Sequence, residues 1–228
     1  MLKTRFASDS RPEVGIDEAG RGPLWGPLTA AAVLWPAESS WTPAHRELAP
    51  KIQDSKKISP KKREAIANQL RELADAVGIG MVTAEEIDTF GATRANTLAF
   101  RRAVDDLKSR YSLESCRLLI DGILSLPDLQ EGEVVETSID GDANYLSIAG
   151  ASILAKVEHD RWVTEWCKEN SAEASKYDLL NCKGYGTAKH RAGILKYGYT
   201  DLHRRLYLRK LIPDIVVSRY KIVEEEEL

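Results

Sequence analysis

Asp17 and Glu18 stand side by side behind the apolar residues Val14 and Ile16, and Gly20-Arg21-Gly22-Pro23-Leu24 follows at once. Two adjacent carboxylates are hard oxygen donors of the kind that hold Mg²⁺ or Mn²⁺. Neighbouring residues of a strand point to opposite faces, so the pair can serve one site only where the strand ends and the backbone turns. The glycines allow that turn and let backbone N–H groups approach a ligand closely. Acids beside such a loop point to divalent-metal chemistry on a phosphodiester. Asp121 repeats the arrangement, because an apolar run over 117–120 ends in it and Gly122 follows. Asp160 follows the apolar stretch Ile148–Val157 within Lys156-Val157-Glu158-His159-Asp160-Arg161, where a helix packed on a sheet can present an acid at the sheet's end. Four acids from such places suit a cage for two divalent ions, one generating the attacking hydroxide and the other steadying the leaving oxygen.

Competing chemistries lack their residues. His45, His159, His190 and His203 contain no i, i+4 ligand pair, which excludes a zincin, and there is no Ser-His-Asp or Cys-His pattern. No GxGxxG or GxxxxGK[ST] opens a helix. Cys116, Cys167 and Cys182 form an odd set without CxxC spacing, so neither a disulfide framework nor a zinc site is expected and a reducing cytoplasm fits best. No apolar run approaches the roughly 18–20 residues that span a bilayer, and no signal-peptide core opens the chain.

The formal net charge of −3 argues against a non-specific polyanion binder, yet the charge is unevenly placed. From Lys183 to Lys210 eight basic side chains face one acid, Asp201, with Tyr185, Tyr197, Tyr199, Tyr207, His190 and His203 interleaved. Cations with aromatics between them suit a phosphate backbone with sugars or bases to stack on. The acidic end Glu224–Glu227 reads as a disordered tail that pulls the net charge negative without describing the binding face.

The elements that must position these residues alternate between strand and helix. Strands are expected over 13–17, 28–34, 78–82, 117–120 and 133–137, and a Pro-, Ser- and charge-rich loop over 36–52. Ser59-Pro60 opens a helix striped by Ile66, Leu70 and Leu73, and Thr83-Ala84-Glu85-Glu86 has the order of a capping box. Longer helices are expected over 94–111 and 145–168. The reading is an α/β fold with a mixed β-sheet flanked by helices. Residues 12–182 form the core, 183–222 a C-terminal helical appendage and 223–228 the acidic tail.

Five motifs resemble those of ribonuclease HII, the type 2 ribonuclease H family: Gly-Ile-Asp-Glu-Ala-Gly-Arg-Gly-Pro-Leu at 15–24, Asp-Ser-Lys-Lys at 54–57, Ile-Asp-Gly at 120–122, Ala-Ser-Ile-Leu-Ala-Lys-Val-x-x-Asp at 151–160 and Gly-Tyr-Gly-Thr at 184–187. The resemblance implies a ribonuclease H-like sheet and hydrolysis of RNA paired with DNA, including incision 5′ of single ribonucleotides in duplex DNA, by two Mg²⁺ or Mn²⁺ ions. By position it makes Asp17, Glu18, Asp121 and Asp160 the metal-binding acids. Gly20, Arg21 and Gly22 would read the ribonucleotide and its junction with DNA, Tyr185 would contact the 2′-hydroxyl, and Lys56 would contact a phosphate. Trp25, His159 and Gly150 depart from the usual pattern, putting the loop's packing and one phosphate-facing charge in question. A ribonuclease HIII-like nuclease would carry a further N-terminal substrate domain, for which the dozen residues before the first strand leave no room. A catalytically weak hybrid-binding module would lack one of the acids. An active monomer in the cytoplasm is the expectation.

Overall fold

The computed structural model describes residues 2–217; the acidic end Glu224–Glu227 and the rest of the expected tail lie outside the described residues. Strands β1 (Glu13–Ala19), β2 (Leu28–Leu34), β3 (Ala76–Val82), β4 (Cys116–Asp121) and β5 (Glu133–Ser138) form one sheet in the order β3-β2-β1-β4-β5. β1 runs antiparallel to β2 and parallel to β4, and β4 runs parallel to β5. The sheet is mixed, as the alternation of strand and helix implies.

β1 differs from the expected strand in a way that matters for the acids. It does not end at Asp17 but continues to Ala19, paired with β2 as far as Ala19 and Thr29. On its other side the pairing with β4 stops at Ile16 and Ile120. The last residues of β1 therefore project beyond β4, and Asp121 is the final residue of that neighbouring strand. Asp17 and Glu18 reach one sheet end because one edge of their strand has lost its partner, with no turn between them.

Helices cover both faces. Val14 and Ile16 pack toward α4 (Ala92–Arg110) with Ala99, Phe100 and Val104. Ala31 and Val33 of β2 face the opposite layer, formed by α2 (Pro60–Leu73) and the long α6 (Leu146–Glu169). α6 lies so close to β1 that a Cβ on Gly15 would sit 2.2 Å from the backbone carbon of Ser147. That contact requires glycine.

The segment 36–52, expected as a loop, carries α1 (Pro43–Leu48) and two 3₁₀ turns. Pro43 supplies the first helical position, and Trp41, His45 and Leu48 are buried against the α2–α6 layer. Its apolar anchors are too few and too widely spaced to show as periodicity. Beyond α6 come α7 (Ser171–Lys176), α8 (Leu179–Cys182), α9 (Ala188–Tyr197) and α10 (Arg205–Leu208). They share a third apolar cluster, in which Trp25, Val163, Tyr177, Leu179, Ile194 and Leu208 are buried together. Among the described residues no helix is long and apolar enough to cross a membrane.

Candidate active site

Strand parity sends the two leading acids to opposite faces of β1. Asp17 lies on the α6 side, is 6% exposed, and takes hydrogen bonds from the Glu18 N–H (2.7 Å) and the Ser152 hydroxyl. Glu18 lies on the α4 side, where the Asn96 amide donates to it over 3.5 Å and Arg21 stands 3.7 Å away. Burial, then the negative charges of Glu18 and Asp121, push the Asp17 carboxyl well above the usual carboxylate range. Burial and Asp121 also raise Glu18, against the pull of Arg21. The charge of Asp121 thus reaches both Asp17 and Glu18 across the sheet end.

The acid that stands beside Asp121 is Asp142. Asp142 belongs to the short helix α5 (Gly141–Asn144), and its N–H donates to Asp121 Oδ1 over 3.3 Å. Burial raises its pKa first, and the charges of Asp121 and Asp54 raise it further. Asp160, expected in this place, has other partners. Burial opposes its ionisation, but Lys156 at 2.8 Å and His159 at 3.1 Å hold it below the usual range, and Arg63 stands 3.8 Å off. Asp160 is therefore an ionised carboxylate whose oxygens are engaged by Lys156, His159 and Arg63.

α6 nevertheless organises the site. Ser152, Lys156 and Asp160 recur every four residues and share one stripe. Ser152 bonds Asp17 and also Ser55 Oγ (3.0 Å), so the Asp-Ser-Lys-Lys segment is tied to the centre through two hydroxyls. Lys156 links Asp160 to Tyr185, its ammonium lying 5.7 Å from the ring centre. His159, fully buried, presses its ring against Gly20, where a Cβ would meet Cδ2 at 2.3 Å. This residue therefore does not face a phosphate; it closes the space beneath the loop. Gly20 turns the chain in the left-handed region, at φ 77°.

The loop that follows is clamped by the C-terminal segments. Leu24 N–H donates to Gly184 O, Gly26 N–H to Leu202 O, and Arg204 N–H to Leu24 O, at 2.8 to 2.9 Å. Trp25 is the reason the departure at this position is tolerated: it is completely buried, with Trp162 and Trp166 at 5.5 and 4.7 Å between ring centres. Tyr185 remains exposed, and a Cβ on Gly22 would lie 3.8 Å from its ring, so the tyrosine stands beside the loop. Lys56 is exposed and stands on the other side, near Asp54 and Asp142.

The basic stretch does not form one face. Lys189, Arg191, Lys196, Arg209 and Lys210 are exposed, but Arg204 is wholly buried, as are His190 and His203. Among the described residues no three His, Cys, Asp or Glu side chains converge closely enough to cage an ion by themselves. The carboxylates at the sheet end are an open group of hard donors that repel one another, a donor set that fits divalent cations. Asn96, Ser152 and Asp142 were not singled out for the site by sequence reasoning, although Ser152 lies within the motif at 151–160 and Asp142 stands in Gly-Asp-Ala before an apolar helix; Arg204 was read as one of the cations of the basic stretch.

The sequence profile of the family described as Ribonuclease HII matches residues 14–210. The chain belongs to the ribonuclease HII family. It is similar to a ribonuclease HII of Caldanaerobacter subterraneus, 39% identical over 87% of this chain and 74% of the relative. A ribonuclease HII of Polaromonas is 42% identical over 85% of this chain and 87% of its own length. Among solved structures, ribonuclease H2 from Pyrococcus horikoshii superposes with a TM-score of 0.67 at 25% identity, covering 87% of this chain and 96% of that one. Family membership makes the protein a type 2 ribonuclease H, a hydrolase, with a ribonuclease H-like sheet.

Proposed function

We propose that this protein hydrolyses the RNA strand of RNA–DNA hybrids and incises on the 5′ side of single ribonucleotides embedded in duplex DNA, leaving 3′-hydroxyl and 5′-phosphate ends. The observation that carries the reading is the gathering of carboxylates where β1 projects past β4: Asp17 and Glu18 on the end of β1 that β4 leaves unpaired, Asp121 at the end of β4 and Asp142 bonded to it, with burial and the charge of Asp121 raising Asp17, Glu18 and Asp142. Asp17, Glu18, Asp121 and Asp142 are the residues that would hold two Mg²⁺ or Mn²⁺ ions. When bound, the ions supply Lewis acidity at the phosphate and lower the pKa of water. Ser152 and the Glu18 N–H hold the Asp17 carboxylate in place, and Asn96 holds Glu18. The Gly20-Arg21-Gly22 backbone, with Tyr185 beside it, offers polar groups that suit a ribose 2′-hydroxyl, the group that distinguishes RNA from DNA. Lys156, balanced between Asp160 and Tyr185, steadies the tyrosine, and Lys56 serves a phosphate on the far side. Three free, buried cysteines agree with a reducing compartment.

Mapping the ends of the products from a duplex with one ribonucleotide, in Mg²⁺ and in Mn²⁺, tests the reading. A 2′,3′-cyclic phosphate would overturn it, because that product needs attack by the 2′-hydroxyl. Comparison of Asp142→Asn with Asp160→Asn separates the two candidates for the fourth acid. Asp142→Asn should lower kcat by two or more orders of magnitude and weaken Mn²⁺ binding. Asp160→Asn should leave Mn²⁺ binding near that of the parent.

A further inference from the structure

Among the described residues Arg204 is the largest charged side chain sealed inside the molecule; its guanidinium lies 5.5 Å from the Tyr207 ring centre, and the groups its Nε and Nη1 bond are backbone carbonyls. Its Nε donates to Gly26 O at 2.9 Å and its Nη1 to Arg21 O at 3.0 Å, so one guanidinium grips the loop at both ends. Its own N–H bonds Leu24 O, and its neighbours Arg205 and Leu206 donate their N–H groups to the Asp88 carboxylate at 2.9 and 2.8 Å. Asp88 is buried in α3 (Ala84–Phe90), so the arginine is held from behind by the core. Burial lowers the Arg204 pKa only to about 10, and the group stays cationic at neutral pH.

The Arg21 carbonyl belongs to the same planar peptide as the Gly22 N–H. In a trans peptide the two point in opposite directions. A guanidinium that draws the Arg21 carbonyl inward therefore turns the Gly22 N–H outward, away from the core, on a loop that has Tyr185 beside it. Among the described residues that N–H makes no hydrogen bond, and Gly22 has no side chain to cover it. We infer that Arg204 is a specificity-determining positioning residue: by holding the Arg21–Gly22 peptide in one orientation it presents the Gly22 N–H as a fixed donor to the ribonucleotide. The inference rests on the proposed reading of the loop, and adds the group that sets its polarity.

The test compares Arg204→Gln and Arg204→Lys with the parent protein on two substrates, a DNA duplex containing one ribonucleotide and a continuous RNA–DNA hybrid. Hydrogen exchange at the Gly22 amide is followed by NMR in the absence of substrate, with Ile16 as the core reference. Arg204→Gln is expected to lose at least tenfold in kcat/KM on the single ribonucleotide and less than threefold on the continuous hybrid. Gly22 exchange should change while Ile16 exchange does not, and lysine, which keeps a cationic donor, should restore part of the preference. Equal losses on both substrates with Gly22 exchange unchanged would overturn the inference and make Arg204 a structural post, as would an unaltered preference. Faster exchange at Ile16 would mean a general loss of fold, and Arg204→Lys with intact Ile16 protection then decides: an unaltered preference in that variant also overturns the inference. A parent protein that cuts both substrates without preference would instead sink the underlying reading of the loop.

Discussion

Among single residues, Asp17 is the most exposed to opposing demands. Its carboxyl is buried beside other acids, so in the metal-free protein the ionised form is disfavoured and the folded state holds its proton more tightly than the unfolded chain does. A group with a raised folded pKa loses stability as pH climbs from the ordinary carboxylate range through the raised value. Asp17→Asn removes that loss, and should raise the melting temperature of the metal-free protein at pH 7 by roughly 2–4 °C, the shift about 1 kcal/mol gives in a domain of this size. The same change should abolish cleavage. Calorimetry with and without Mn²⁺ checks it, and the parent should gain more from the ion than the variant. Mn²⁺ affinity should also rise with pH, because the ion must displace protons held by Asp17, Glu18 and Asp142. Asp121→Asn should abolish turnover while leaving duplex binding intact, as read by filter binding, since neither volume nor basic surface changes.

The elements themselves are tuned by close approach. Gly15→Ala would drive a Cβ against Ser147 and Ile148 backbone atoms at 2.2 and 2.3 Å and force α6 off β1. The cost should reach at least the roughly 1–3 kcal/mol typical of overpacking, measured by urea denaturation. Ser152 would move with the helix, so Mn²⁺ affinity should fall as well. At the other end of the fold, His190 and His203 share a hydrogen bond of 3.2 Å between Nε2 atoms, joining α9 to the segment before α10. Burial, and then the neighbouring His190, take His203 down to about 3. The unfolded value is near 6.5, so the stability of this contact is full above that pH and is lost as pH falls toward 3. Urea midpoints at pH 7 and pH 4.5 should differ by less in His203→Gln than in the parent. Strands and their terminal acids were legible because apolar runs ending in Asp or Gly mark them locally. α1 was not, since three buried side chains amid Pro and Ser leave no period. Asp160 was singled out because it closes a motif behind an apolar helix, Asp142 was not, and only packing reveals that Lys156 and His159 bond Asp160 while Asp142 stands beside Asp121.

For the molecule as a whole, charge on the page and charge on the surface are different quantities. Arg204 counts toward a basic stretch in the sequence but spends its charge on two carbonyls. On the proposed reading, phosphate contact falls to exposed cations such as Lys189 and Lys196. Replacing both by alanine should flatten the slope of log K against log salt by up to about two units, at roughly 0.9 per lost contact. Arg204→Gln should leave that slope unchanged, and titrations across a salt series distinguish the two. The bond from Arg204 to Gly26 spans 178 positions of the chain. Closing so long a loop in an open coil costs on the order of 4–5 kcal/mol, which a preformed sheet and α6 largely remove by bringing the ends together. The order of assembly follows. As the chain leaves the ribosome, the carboxylates of β1 and β4 can gather as soon as α6 has emerged, whereas the loop at 20–26 waits for residues near 204. On the proposed reading of that loop, a nascent chain holds its acids before it can choose a substrate, and discrimination is the last property to be acquired.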